Sequence, residues 1–302
     1  VVVLGLRLAA LVWLRAGGEP DAGQAGQPVE QFMHVHGLEI TAWAPDDVYL
    51  ATHQGLIRID ADGEWTSVSA EPHDFMGFSA HPTDEGVFYS SGHPAPGTRL
   101  RNPIGFMVSS DGGATWSTRS LEGAADFHAM TVAPSDGDVV YGWNGAGQTG
   151  LYVSTDGGST WAPISDGTLS EVGGALALAV RPDDLDEVWA GTQAGLFASR
   201  DAGQTWEPLL SGGVTAVAFD PADPQRALAY APEGGGLVES RDGGQTWTEL
   251  GLVLDGDAAG HLAVHPEDAD TVYVGTYGQS LLRTTDGGNS WETLAESGVP
   301  RR

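Results

Sequence analysis

Short segments of alternating apolar and polar positions run through most of the chain, clearest between residues 175 and 209. There 176–180, 187–191, 195–199 and 205–209 each read as a strand, and these are labelled A to D. Strand A is built from small and β-branched residues, as suits a position where sheets converge and space is least. Proline and aspartate follow it, in Arg181-Pro182-Asp183-Asp184, Asp220-Pro221-Ala222-Asp223-Pro224 and His265-Pro266-Glu267-Asp268, where they end the strand and start a turn. Beyond the amino-terminal segment no long 3.6-residue period occurs. The set repeats: tryptophans at 65, 116, 161, 206, 247 and 291 are 51, 45, 45, 41 and 44 residues apart. That is the length of a four-stranded propeller blade. The pattern predicts an all-β, six-bladed β-propeller with four-stranded antiparallel blades over residues 32–302, with 1–31 outside it. Closure by adjacency of the first and last blades is expected, with residues 29–33 adding an edge strand.

Each of the last five tryptophans ends an octet, Ser109-Ser110-Asp111-Gly112-Gly113-Ala114-Thr115-Trp116 being the first, and a degenerate copy ends at Trp65. The octet falls between strands C and D. Its paired glycines permit positive φ, its aspartate can accept backbone N–H bonds, and its tryptophan can bury between sheets. It resembles the Asp-box, or BNR repeat, of sialidases, sortilin-type propellers and many exported bacterial proteins. The resemblance implies a fold-stabilising turn, so Asp111, Asp156, Asp201, Asp242 and Asp286 are expected to be structural.

Thirteen basic residues, all arginine, stand against 41 acidic ones, a formal charge of -28. Nucleic acid is excluded as a partner, since phosphate binding needs a basic surface. There is no cysteine, so a metal would need His and carboxylate ligands. Residues 1–15 are apolar apart from Arg7 and Arg15 and resemble an export signal or membrane anchor. Residues 16–28, rich in Gly, Ala, Gln and Pro, read as a tether. An exported monomer, touching a membrane only through that segment, is expected.

Strand polarity places A-to-B and C-to-D loops on one face, the bottom, and B-to-C hairpins and D-to-A links on the other. Seven of nine histidines then fall on top. His34, His36, His73, His128 and His261 fall on links entering strand A, and His53 and His93 on B-to-C hairpins. All but His261 come from the first three blades, where Asp74 and Asp126 join them. Such an arc suits Zn(II) or Cu(II), with His34, His36, His53, His73, His93 and His128 as candidate ligands. It equally suits binding or hydrolysis of a sugar by Asp74 and Asp126, or plain blade-to-blade bonding. Arg99 and Arg101, on the long B-to-C loop of blade 2, are candidates for gripping a protein or carbohydrate ligand. Segments such as Val35-His36-Gly37-Leu38, His73-Asp74-Phe75-Met76-Gly77-Phe78, Tyr89-Ser90-Ser91-Gly92-His93-Pro94 and Asp126-Phe127-His128 are similar to a bacterial group of Asp-box proteins named glycosylhydrolase. That resemblance implies an exported propeller whose first three blades matter most. A sialidase would need three top-facing arginines around a carboxylate, and the other arginines near loops, Arg181, Arg200, Arg226 and Arg241, fall on the bottom. The leading expectation is a binding or assembly module, with a non-sialidase glycoside hydrolase as the alternative.

Overall fold

A computed structural model describes residues 25–165 and 167–301, so the signal-like segment and most of the tether lie outside the described residues. Six antiparallel sheets follow one another in chain order. Blade 1 is β1 (Val35–Thr41), β2 (Ala44–Thr52), β3 (Gly55–Ile59) and β4 (Trp65–Ser67). Blade 2 is β5 (Asp74–Ala80), β6 (Phe88–His93), β7 (Phe106–Ser109) and β8 (Ser117–Ser120), and blade 3 is β9 (Phe127–Ala133), β10 (Asp136–Asn144), β11 (Gly150–Ser154) and β12 (Ala162–Pro163). A single helical turn, α1 (Thr168–Glu171), leads into blade 4: β13 (Ala177–Arg181), β14 (Asp184–Gly191), β15 (Gly195–Ser199) and β16 (Glu207–Ser211). Blade 5 is β17 (Ala216–Phe219), β18 (Ala227–Ala231), β19 (Gly236–Ser240) and β20 (Thr248–Glu249). Blade 6 is β21 (Ala259–Val264), β22 (Val272–Thr276), β23 (Leu281–Thr284) and β24 (Glu292–Glu296), with β25 (Val299–Pro300) as a fifth strand. Each A strand touches the next, and β21 returns to β1, which closes the ring. Among the described residues no helix is long and apolar enough to cross a membrane.

The A strands line a central channel with a cavity volume of about 290 Å³. Gly77, Ala129, Ala177 and Ala218 keep their side chains small there, as the convergence of six strands demands. The bulky residues instead fill the gaps between blades. Phe106, Phe127 and Trp161 pack between blades 2 and 3, Phe106 edge-on to Trp161 with ring centroids 5.1 Å apart and Phe127 tilted against it at 4.6 Å. Each fully buried aromatic of this kind contributes roughly 2–3 kcal/mol by leaving water.

The five octets form one repeated hydrogen-bonded unit. In blade 4, Ser199 Oγ donates to Asp201 Oδ1 (2.8 Å) and accepts from Gly203 N (2.8 Å), while Thr205 donates through N to Oδ1 (2.8 Å) and through Oγ1 to Oδ2 (2.6 Å). Trp206 Nε1 then donates to Gly203 O at 2.9 Å, so the tryptophan belongs to the turn and strand D begins after it, at Glu207. The glycine at the fifth position of each octet abuts the preceding blade. A side chain at Gly158 would fall inside the Phe106 ring, and one at Gly203 would meet Leu151.

The joint between blades 6 and 1 is made differently. The degenerate copy is a short turn in which Asp60 Oδ1 accepts from Asp62 N (3.1 Å) and Glu64 N (3.0 Å). Residues 26–29 pair along β4, with Val29 N donating to Trp65 O at 2.9 Å. The expected edge strand over 29–33 thus lies a few residues earlier. Phe32 turns inward, stacks on Trp65 at 5.6 Å, and donates its N–H to Gly298 O at 2.8 Å, crossing to the last blade.

Candidate functional site

The top of the channel is where the polar arc assembles. His36, His128 and His261 lie inside strands β1, β9 and β21, not on the links before them, because those strands run further up than the local pattern indicates. All three line the channel, and Pro82, Pro134, Pro182, Pro221 and Pro266 line it at the opposite end. His81 and His265 face the bottom, where their Nδ1 atoms accept backbone N–H bonds from Asp84 (2.9 Å) and Glu267 (3.2 Å).

Two groups of three side chains converge. In the first, His93, Asp126 and His128 place one ligand atom each within 4.8 Å of one another. Asp126 Oδ2 lies 2.9 Å from His128 Nε2 and 3.6 Å from His93 Nε2. Ligands at about 2.1 Å around a single ion lie roughly 3–3.5 Å apart, a range that these two spacings bracket. Asp126 is 7% exposed, and its other oxygen, Oδ1, is buried with no hydrogen-bond partner. His93 Nδ1 lies 2.6 Å from Asn102 Oδ1 and donates to it, which leaves Nε2 as the lone-pair nitrogen facing the carboxylate. The backbone of Asp126 is pinned by Asn144, whose Oδ1 accepts from Asp126 N at 2.8 Å, and Ser91 Oγ accepts from Phe127 N at 3.0 Å.

The second group is His36, His53 and Asp74, again within 4.8 Å. His53 sits in the β2–β3 turn with Nδ1 3.6 Å from Asp74 Oδ2. Its ring centroid is 4.7 Å from that of His36 and 4.8 Å from that of His34. His36 Nε2 and Asp74 Oδ1 are buried without a partner.

Burial and neighbouring imidazoles push His36 down to about 3, so it is neutral at physiological pH. Burial likewise lowers His53, against the pull of Asp74. Burial raises the Asp74 carboxyl, opposed by His53 and His93. His128 moves up, chiefly through its hydrogen bond to Asp126. His261 falls to about 4 through burial, with Nε2 3.1 Å from Val35 O, and serves as a blade-to-blade tie.

Three expected site residues stand apart, and one is only adjacent. His73 is fully buried; its Nδ1 accepts from Ala95 N at 2.9 Å and its Nε2 lies 3.2 Å from Glu71 Oε2, so the ring anchors the β6–β7 loop and joins neither group. Arg99 and Arg101 are exposed on that loop and, among the described residues, form no salt bridge to the rim carboxylates. His34 stacks beside His36 at 6.0 Å without joining the convergent atoms. Asn102 and Asn144 were not singled out from sequence. Asn144 ends strand B of blade 3, where blade 1 has Thr52 closing its hairpin onto Gly55 O (2.8 Å), and that departure from the scaffold pattern is the signal that marks it.

The repeated unit of serine or threonine, aspartate and glycine, and the family model for the BNR/Asp-box repeat that matches residues 152–163, agree. The chain is a six-bladed β-propeller that carries Asp-box repeats. No curated protein matches its sequence. Solved structures share the fold of this Asp-box propeller. A xyloglucanase of glycoside hydrolase family 74 from Xanthomonas campestris is 18% identical with a TM-score of 0.56, covering 87% of this chain, which spans only 53% of the enzyme. YCF48 bound to a D1 peptide is 17% identical with a TM-score of 0.54, over 91% of this chain and 86% of that one. The Cps50 (Swd1) propeller domain of Myceliophteria thermophila is 13% identical with a TM-score of 0.57, over 92% and 90%. At these identities the likeness concerns the fold.

Proposed function

We propose that this Asp-box propeller is an exported binding module whose upper mouth holds a divalent transition metal, Zn(II) or Cu(II), through His93, Asp126 and His128. The observation that carries the reading is the Asp126 carboxylate. It is buried, two imidazole nitrogens converge on one oxygen, and the other oxygen has no partner. A buried carboxylate oxygen without a partner is costly, and a cation removes that cost. Asn102 supports the reading by holding His93 in the tautomer that offers Nε2, the role that outer partners play for metal-bound imidazoles. Three protein ligands leave a coordination position open, where a donor atom of a protein or carbohydrate ligand would complete the sphere. Propellers of this shape serve both kinds of ligand, as the peptide-bound YCF48 and the xyloglucanase illustrate for themselves.

The test is elemental analysis of untagged protein, followed by calorimetric titration of the stripped protein with Zn(II) and Cu(II). We expect stoichiometric binding in the wild type and its loss in His93→Ala and His128→Ala. Absence of binding in the wild type would return these residues to blade-to-blade structure. In the same preparation, release of a chromogenic phenol from a glycoside panel, lost in Asp126→Asn, would favour the hydrolase alternative.

A further inference from the structure

We infer that the mouth holds two ions, the second bound by His36, His53 and Asp74. This rests on the proposed site at His93, Asp126 and His128 and adds a separate one beside it. The three side chains come from different elements, β1, the β2–β3 turn and the head of β5, yet their ligand atoms lie within 4.8 Å of one another. A structural polar cluster settles its members into mutual hydrogen bonds. This one does not: His36 Nε2 and Asp74 Oδ1 are buried without a partner, and His53 approaches Asp74 only to 3.6 Å. Ligand atoms gathered within 4.8 Å of one another, with lone pairs left unpaired, make a place that a cation would satisfy.

The strand register joins the two positions. Asp74 on β5 is directly opposite His93 on β6. Facing residues of an antiparallel pair have Cβ atoms about 5 Å apart. The carboxylate of one group is thereby the neighbour of an imidazole of the other. The close approach is secured at Gly92, which has φ 129° and whose added Cβ would collide with Asp74 O. A register shift between Phe75 and Phe78 bends β5 just past Asp74, the kind of irregularity that re-aims a side chain at a site. Six ligands from two adjacent triplets supply three to each ion, and two carboxylates offset half of the charge of two divalent cations. Three protein ligands at each ion leave coordination positions open, and one ligand of each triplet, His36 and His128, lines the channel.

Stoichiometry decides the inference. Untagged full-length protein, stripped and then titrated with Cu(II), is expected to bind two ions per chain, with His53→Ala and Asp74→Asn each retaining one and His128→Ala retaining the other. Electron paramagnetic resonance of the wild type at two equivalents is expected to show dipolar coupling between the ions, absent from the single-site variants. Circular dichroism of each variant confirms folding, and Asp74→Asn keeps the volume if His53→Ala does not fold. One ion per chain, lost in His128→Ala and kept in Asp74→Asn, would overturn the second site and leave the first. One ion lost in both variants would overturn it in favour of a single shared centre. No ion in the wild type would overturn the proposed function itself.

Discussion

The lower face and the upper mouth use the same side chain to opposite ends. Below, Asp156, Asp201 and Asp242 are held down at about 2, for Asp156 by the backbone and then the hydroxyl of Thr160, and for the other two by the hydroxyl and then the backbone of Thr205 and Thr246. Their oxygens are taken up by donors of the same turn. Above, burial raises Asp74, and both Asp74 and Asp126 keep an oxygen with no partner. A carboxylate whose lone pairs are spent stabilises a turn. One whose lone pairs remain is free to bind. Repetition separates the two as well, because the lower arrangement recurs in five blades and the upper one occurs where blades 1 to 3 depart from the pattern.

The sharpest test of that contrast is to remove one carboxylate charge at the mouth. Asp126→Asn is expected to weaken Zn(II) binding by roughly 100-fold or more, since outer partners alone account for 10–100-fold. Calorimetry measures it, and a melting temperature close to that of the wild type would show that the carboxylate serves binding more than folding. The complementary change belongs below. Gly158→Ala places a methyl in the Phe106 ring at a residue with φ 80°, and overpacking together with left-handed strain should cost about 2–3 kcal/mol with metal affinity unchanged. Denaturant unfolding checks it; an unaltered midpoint would remove the glycine's role in joining blades 2 and 3.

How much of this was legible differs between the two faces for a physical reason. The octets are local: Ser199, Asp201, Gly203 and Thr205 satisfy each other within one turn, so spacing alone reveals them. The mouth is assembled from residues far apart in sequence. Composition and strand polarity brought His36, His53, His93, His128, Asp74 and Asp126 to one arc, but not their division into two triplets, which depends on the register that sets Asp74 against His93. His73 belongs to the same arc in sequence and leaves it in space because the ring turns inward to cap Ala95. The pairing of residues 26–29 with β4 was hidden because their composition is that of a linker. Asn102 was hidden because its role exists only through the imidazole it orients. A smaller effect is expected there. Asn102→Ala should lower affinity about tenfold, while Asn102→Asp, which retains an acceptor for His93 Nδ1, should recover most of it. Equal losses in both variants would deny the orienting role.

The smallest effect concerns pH, and it too divides the faces. An aspartate held low in the folded protein adds stability that is complete above its unfolded value near 3.9 and disappears as pH falls toward 2, so the octets make the fold acid-sensitive in that window. Glu39 does the reverse. It lines the channel on β1, and burial pushes it up to about 7, against the hydrogen bonds from Ser79 Oγ (2.9 Å) and the Ala80 backbone. Below 4.5 the carboxyl is protonated in both folded and unfolded chains and has no effect. From there to about 7 the unfolded chain binds fewer protons than the folded one, so stability declines as pH rises, and above 7 the loss is constant. Glu39 is only half-buried at the channel wall, so the loss is smaller than a fully enclosed carboxylate would suffer. Glu39→Gln keeps an acceptor for Ser79 and removes the charge. It should melt higher than the wild type at pH 8, by less at pH 6, and at the same temperature at pH 4. A constant difference across that range would mean that packing, not ionisation, distinguishes the two chains.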